Sequence, residues 1–175
     1  MNRMRKVLIA DDEVKVGQLV KRLIQWDRLG LTCIGLVTDG QTAYEKILSE
    51  SPDIVITDIR MPVLTGLEMI QKASEQGVKC HFIVVSGYKY FDYAQKALKY
   101  GVEDYLLKPI DEDELNRQLQ KIVAEEEQRE DKQQQVDQIE KKLEDSKYLR
   151  HKEFLRQILS QKQENIDAAN TEFGL

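Results

Sequence analysis

No run of apolar residues in this 175-residue sequence approaches the roughly twenty that a membrane-spanning helix needs. The N-terminus, MNRMRKVLIADDE, begins basic and turns apolar, as a leader would. Its apolar stretch, residues 7–10, stops at two aspartates and is too short for the hydrophobic region of a signal peptide. Cysteine is scarce. Cys33 and Cys80 lie in strand-like apolar runs, where a free thiol behaves as a small hydrophobe, and neither has a Cys or His at ligand spacing. That sets aside a disulfide framework and a zinc site. Basic charge is not in excess either. Residues 1–110 hold 15 Lys and Arg against 14 Asp and Glu, a balance of +1, and the remainder hold 11 against 17, a balance of −6. An acidic tail does not grip a phosphate backbone, so this chain is not expected to contact nucleic acid itself. These absences imply a cytoplasmic protein with no membrane contact.

What is present is enough to fold. With 41% hydrophobic and 33% charged residues, the length suits one domain with a buried core plus an appendage. Five short apolar runs read as strands: 6–10 (KVLIA), 31–37 (LTCIGLV), 53–57 (DIVIT), 80–85 (CHFIVV) and 102–107 (VEDYLL). Three are nearly continuous in aliphatic residues, as happens when both faces of a sheet are covered. Between them, residues 14–26, 41–49, 67–76 and 90–100 carry apolar side chains at helical spacing. Thr65-Gly66-Leu67-Glu68 has the form of a capping box, Asp111 to Glu114 a looser one, and Gly77 and Gly101 stand where helices close. Strands alternating with helices imply right-handed crossovers and a doubly wound parallel sheet. In such sheets ligands bind outside the carboxyl ends of the strands.

From Asp111 the texture changes. Residues 111–160 contain no Pro or Gly and are dominated by Glu, Gln, Lys and Arg, which predicts one long helix. Leu115, Leu119 and Ile122 are spaced 4 and 3 apart, and Val136, Ile139 and Leu143 are spaced 3 and 4. Glu126, Arg129 and Gln133 interrupt the seam between them, leaving a coiled coil, or else a solvated single helix or partly disordered linker, equally open over 123–160. Residues 161–175 lose periodicity and are expected to fray.

Polar residues break the apolar pattern where strands should finish. Asp11, Asp12 and Glu13 follow the first strand and Asp58 the third; Ser86 ends the fourth and Lys108 the fifth. A parallel sheet brings all four groups to one edge. Crowded carboxylates repel one another unless a cation compensates, and an all-oxygen donor set suits Mg²⁺, which keeps waters and takes up a phosphate oxygen. One strand-end aspartate is usually a turn former or helix cap; it is the convergence that argues for chemistry.

The layout resembles the receiver domain of two-component response regulators over residues 4 to about 122. The resemblance is carried by Asp11-Asp12, Asp58 in DIVITDIRMP, Ser86 in VVSGY and Lys108 in YLLKP. The stretch SGYKYFDYAQKALKYGVEDYLLKPI looks like the branch with an AraC-type helix-turn-helix output, which would lie outside this chain. The resemblance implies a flavodoxin-like fold with strand order 2-1-3-4-5, a receiver over 1–122 and a helical extension beyond it. It also implies that Asp58 accepts a phosphoryl group from a sensor histidine kinase. Asp12, Asp58 and the backbone carbonyl of Arg60 would hold Mg²⁺, with Asp11 acting through water. Lys108 would neutralise charge on the transferring oxygens. Ser86 would bond the new phosphoryl group, and its movement would let Tyr105 turn inward. That movement would switch a face built from the 90–100 helix, the 102–107 strand and the following helix. A homodimer through that face or through the C-terminal helix is expected, with transcription regulation as output.

Two other readings are kept. Metal-dependent phosphohydrolases of the haloacid dehalogenase type carry Asp-x-Asp after the first strand, where this chain reads Asp11-Asp12-Glu13 without a capping insertion. A dimerisation module indifferent to phosphorylation is the other. Trp26, Tyr88, Tyr90, Phe91, Tyr93, His81 and His151 need only packing or solvent to explain them, and Glu13 is a first-turn dipole partner.

Overall fold

Side-chain alternation along the strands builds two cores. In β1 (Arg5–Ala10), Val7 and Ile9 belong to one buried cluster and Leu8 and Ala10 to the other. β3 (Ile54–Thr57) repeats the pattern, with Ile54 and Ile56 on the first side and Val55 on the second, and every residue buried. Both faces must therefore be covered, and helices cover them. The structure is a computed structural model that describes residues 3–87, 99 and 102–172, excepting the side chains of 103, 104 and 161–172. The expected 90–100 helix, its aromatics, Tyr88 and Gly101 lie outside the described residues.

In chain order the elements are β1, α1 (Val14–Leu23), α2 (Trp26–Leu29), β2 (Leu31–Val37), α3 (Gly40–Glu50), β3, α4 (Gly66–Glu75), β4 (His81–Ser86), β5 (Val102–Leu107) and α5 (Glu112–Glu172). The strands form one parallel sheet in the order β2-β1-β3-β4-β5, the flavodoxin-like receiver topology. Val20 of α1 with Leu115, Leu119 and Ile122 of α5 seals one face. Ala43 and Ile47 of α3 with Leu67, Met69, Ile70 and Ala73 of α4 seal the other. Each large side chain so buried contributes roughly 1.5–3 kcal/mol of transfer free energy.

Helix ends follow local chemistry. Asp39 caps α3 by accepting from the Thr42 amide at 2.7 Å, and Thr65 and Glu68 form the complete capping box of α4. Gly77 closes α4 with φ +70. At α5 the Asp111 carboxylate accepts from the Glu114 amide at 2.8 Å. The helix expected over 14–26 needs correction: it stops at Leu23, Ile24 is extended, and Trp26 starts the separate α2. The cause is long-range. Buried Asn116 of α5 donates to the Leu23 carbonyl and accepts from the Gln25 amide, at 2.8 and 2.9 Å, replacing the lost helical bonds.

The chain divides into two units, Met1–Ala124 and Glu125–Leu175. The second is helical up to Glu172. No Pro or Gly interrupts before Gly174, and helix-favouring Ala168 and Ala169 lie in that stretch. Among the described residues no helix is long and apolar enough to cross a membrane.

Candidate functional site

Each polar residue at the sheet edge is placed by a backbone bond to the neighbouring strand. The Asp11 amide donates to Val37 O at 3.0 Å, Asp58 to Ala10 O at 2.9 Å and Lys108 to Ser86 O at 3.0 Å. Parallel pairing thus sets residues 47 and 97 positions away from Asp11 side by side at the carboxyl ends of β1, β3 and β5. Carboxylate oxygens of Asp11, Asp12 and Asp58 lie within 4.8 Å of one another. Asp11 and Asp58 are buried and Asp12 is exposed. Lys108 Nζ donates to Asp11 Oδ2 at 3.1 Å and to Asp58 Oδ2 at 3.3 Å.

Two backbone amides aim the buried acids. Ile59 N–H donates to Asp58 Oδ1 at 2.6 Å, and Glu13 N–H donates to Asp11 Oδ1 at 2.9 Å. One ammonium does not balance three carboxylates. Burial pushes the Asp58 carboxyl above its ordinary range, against the pull of Lys108 and the Ile59 amide, and Asp11 adds repulsion. Burial works against the Lys108 ammonium, but Asp58 and Asp11 outweigh it and hold its pKa above the usual value. A site with excess negative charge and only oxygen donors fits a hard divalent cation such as Mg²⁺.

Two glycines pack against the loop after β3, Gly66 at its end and Gly40 of α3 against its middle. A Cβ on Gly66 would stand 2.0 Å from the Asp58 carbonyl oxygen, and one on Gly40 would stand 1.8 Å from the Leu64 carbonyl oxygen. Gly66 N–H donates to Ile59 O at 2.8 Å and Gly40 N–H to Pro62 O at 3.3 Å. Within the loop, Leu64 N–H donates to Pro62 O around Val63, whose φ of +68 is costly for a β-branched residue.

The other residues singled out by the sequence fall as follows. Ser86 is fully buried at the end of β4, and Tyr105 is half-buried against the α3–α4 core. The Arg60 side chain is exposed, two positions beyond Asp58. The Lys108–Pro109 peptide is cis. Trp26 packs against the α1–α5 core and its Nε1 donates to Lys21 O at 2.8 Å. Sequence reasoning missed the Ile59 and Glu13 amides, which no side-chain motif betrays. It also missed Thr57, whose Oγ1 donates to the Asp58 carbonyl at 2.9 Å; a hydroxyl ending the run Ile-Val-Ile-Thr was its only signal.

Comparison with known proteins agrees with this geometry. The family model for the response regulator receiver domain matches residues 7–120. An uncharacterized transcriptional regulatory protein, YesN of Bacillus subtilis, is 46% identical over 122 residues, covering 70% of this chain and 33% of that protein. The transcriptional regulatory protein HptR of Staphylococcus aureus is 35% identical over 120 residues, 69% of this chain and 47% of that protein. The chain thus spans less than half the length of these relatives. Among solved structures, the REC domain of AraT, a response regulator from Geobacillus stearothermophilus, has a TM-score of 0.68 at 36% identity, covering 73% of this chain and 98% of that one.

Proposed function

The chain belongs to the response regulator receiver family, and from that membership we propose that Asp58 accepts a phosphoryl group from a phosphohistidine of a sensor histidine kinase. The observation that carries this reading is the meeting of Lys108 Nζ with Asp58 and Asp11 across three strand ends. The Ile59 amide fixes Asp58 Oδ1 and leaves Oδ2 to attack phosphorus. An O–P bond forms as the P–N bond breaks. The electron pair stays on the ring nitrogen, and neutral imidazole departs with the proton on its other nitrogen. Lys108 lies where it can turn from the carboxylates to the incoming phosphoryl oxygens.

Asp12, Asp58 and the Arg60 carbonyl would hold Mg²⁺, with Asp11 reaching it through water. When bound, the ion supplies the positive charge that offsets the carboxylates and the transferring oxygens. Buried Ser86 bonds the new phosphoryl group and Tyr105 follows inward, changing the face around β5. Such a change shifts a two-state equilibrium by its differential affinity, typically 1–3 kcal/mol. The output is association of two copies and, through an AraC-type helix-turn-helix domain outside this chain, control of transcription in the cytoplasm. The chain is a signalling module rather than an enzyme, with at most slow self-dephosphorylation.

Intact mass after incubation with acetyl phosphate tests the reading. One phosphoryl group is expected, labile to hydroxylamine and dependent on Mg²⁺, with none on Asp58→Asn. The same gain on that variant would mean another nucleophile.

A further inference from the structure

β3 is aliphatic until its last residue, and there a hydroxyl takes the place of a methyl. Side chains alternate along a strand, so Thr57 shares with Val55 the side sealed by α3 and α4. Valine would suit the strand and the packing equally well, with nearly the same shape. A hydroxyl buried in that position costs free energy unless it is bonded. Thr57 is buried, and its Oγ1 donates to the Asp58 carbonyl oxygen at 2.9 Å; the Met61 thioether, 4.0 Å away, is the weaker acceptor.

That carbonyl belongs to the same peptide group as the Ile59 amide. The Asp58–Ile59 peptide is trans, so its C=O and N–H lie in one plane and point opposite ways. Turning one turns the other. The N–H donates to Asp58 Oδ1 at 2.6 Å, and Asp58 Oδ2 lies 3.3 Å from Lys108 Nζ. The bare Cα of Gly66 closes on the same carbonyl: a Cβ there would stand 2.0 Å from the Asp58 oxygen and 3.1 Å from Thr57 Oγ1. One peptide plane is therefore gripped by a hydroxyl and by a residue without a side chain, and that plane carries the donor that orients the carboxylate.

We propose that Thr57 is a positioning residue for phosphoryl transfer, its hydroxyl fixing the Asp58–Ile59 peptide plane so that the Ile59 amide holds Asp58 Oδ1 and leaves Oδ2 to react. The inference rests on the reading of Asp58 as the acceptor. Thr57 acts through the main chain, not on the reacting atoms.

The test uses the full chain. Thr57→Val removes the hydroxyl and keeps the shape, Thr57→Ala removes both, and Thr57→Ser keeps the hydroxyl and loses a methyl. Acetyl-phosphate labelling with Mg²⁺ is followed by intact mass, per folded molecule, and the Ile59 amide proton by heteronuclear NMR without any phosphoryl donor. Thr57→Val and Thr57→Ala should label roughly tenfold slower, short of the 10²-fold loss that a 1 Å misplacement brings. Their Ile59 amide proton should move upfield as its bond to Asp58 Oδ1 lengthens. Thr57→Ser should restore most of the rate and the shift despite its poorer packing. Ile47→Ala, a change in the same core, should label at the wild-type rate. A wild-type rate in Thr57→Val, an Ile59 proton that stays in place, or equal slowing in Ile47→Ala would overturn the proposal. Each of these leaves the acceptor reading standing so long as wild-type chain gains its phosphoryl group on Asp58. No gain by wild-type chain removes that reading, and this inference with it.

Discussion

Replacing Gly66 with alanine should damage the fold and the proposed phosphoryl acceptor together. The added Cβ would lie 2.0 Å from the Asp58 carbonyl oxygen, whereas real Cβ contacts do not fall below 3.0 Å, so the backbones must part by about 1 Å. No rotamer relieves this, because both atoms are fixed to main chain. The same opening stretches the Gly66 amide to Ile59 carbonyl bond from 2.8 Å past hydrogen-bonding range, losing about 1 kcal/mol. Overpacking adds roughly 1–3 kcal/mol, and alanine's better helix propensity at the first residue of α4 returns about 0.5–1 kcal/mol. A net loss of about 2 kcal/mol should lower Tm by roughly 6–12 °C for a unit of this size. Because the loop moved carries Ile59, whose amide aims Asp58, acetyl-phosphate labelling should slow more than an equally destabilising core change would slow it. Melting by circular dichroism and intact-mass kinetics on Gly66→Ala, with Ile47→Ala, a buried change costing at least about 2 kcal/mol, as the core control, check both parts. A melting point within about 1 °C of wild type, together with an unchanged labelling rate, would show that the contact is soft and the reasoning wrong.

Four further outcomes are expected. Asn116→Leu should cost about 2–4 kcal/mol in urea unfolding, because it strands the Gln25 amide and Leu23 carbonyl; a loss below about 0.5 kcal/mol would refute the role given to Asn116. Asp58→Asn in chelator should be more stable than wild type near neutral pH. The carboxyl binds its proton more tightly folded than unfolded, so its contribution is full below the ordinary carboxylate pKa and is lost as pH rises through the folded value; the variant's advantage should disappear below about pH 4. Asp39→Ala should behave oppositely. Bonds from Thr42 hold Asp39 below its ordinary pKa, so the cap's loss, about 1 kcal/mol at neutral pH, should shrink on acidification; a pH-independent difference would count against it. Val63→Gly should stabilise by up to about 1 kcal/mol, since the φ of +68 then costs nothing, and a lower melting point would contradict the strain.

Much of this architecture is legible in the residues. Continuous aliphatic runs in β1, β3 and β4 announce a sheet covered on both sides, and polar punctuation at Asp11, Asp58, Ser86 and Lys108 marks one edge. Thr65 and Glu68 write their capping box locally, and it forms. The break between α1 and α2 is not legible, since the helical pattern continues through Trp26 and its terminator, Asn116, lies 91 residues from Gln25. The main-chain donors of Ile59 and Glu13 are hidden for a different reason: every residue but proline has an amide, so only the folded path shows which ones serve. Gly66 reads as a member of its capping-box sequence and Gly40 carries no signal at all, and the approach of a carbonyl to each explains why no side chain fits.

The amides of Asp11, Asp58 and Lys108 each close the last rung of a strand pair. Chemical competence is therefore a by-product of alignment: slip one strand by a single position and its polar residue moves by about 3.3 Å and turns to the opposite face. A chain that has collapsed without β5 in place would hold its acids with no ammonium beside them. If Asp58 takes up phosphate as proposed, that uptake would report on whether the last strand has joined.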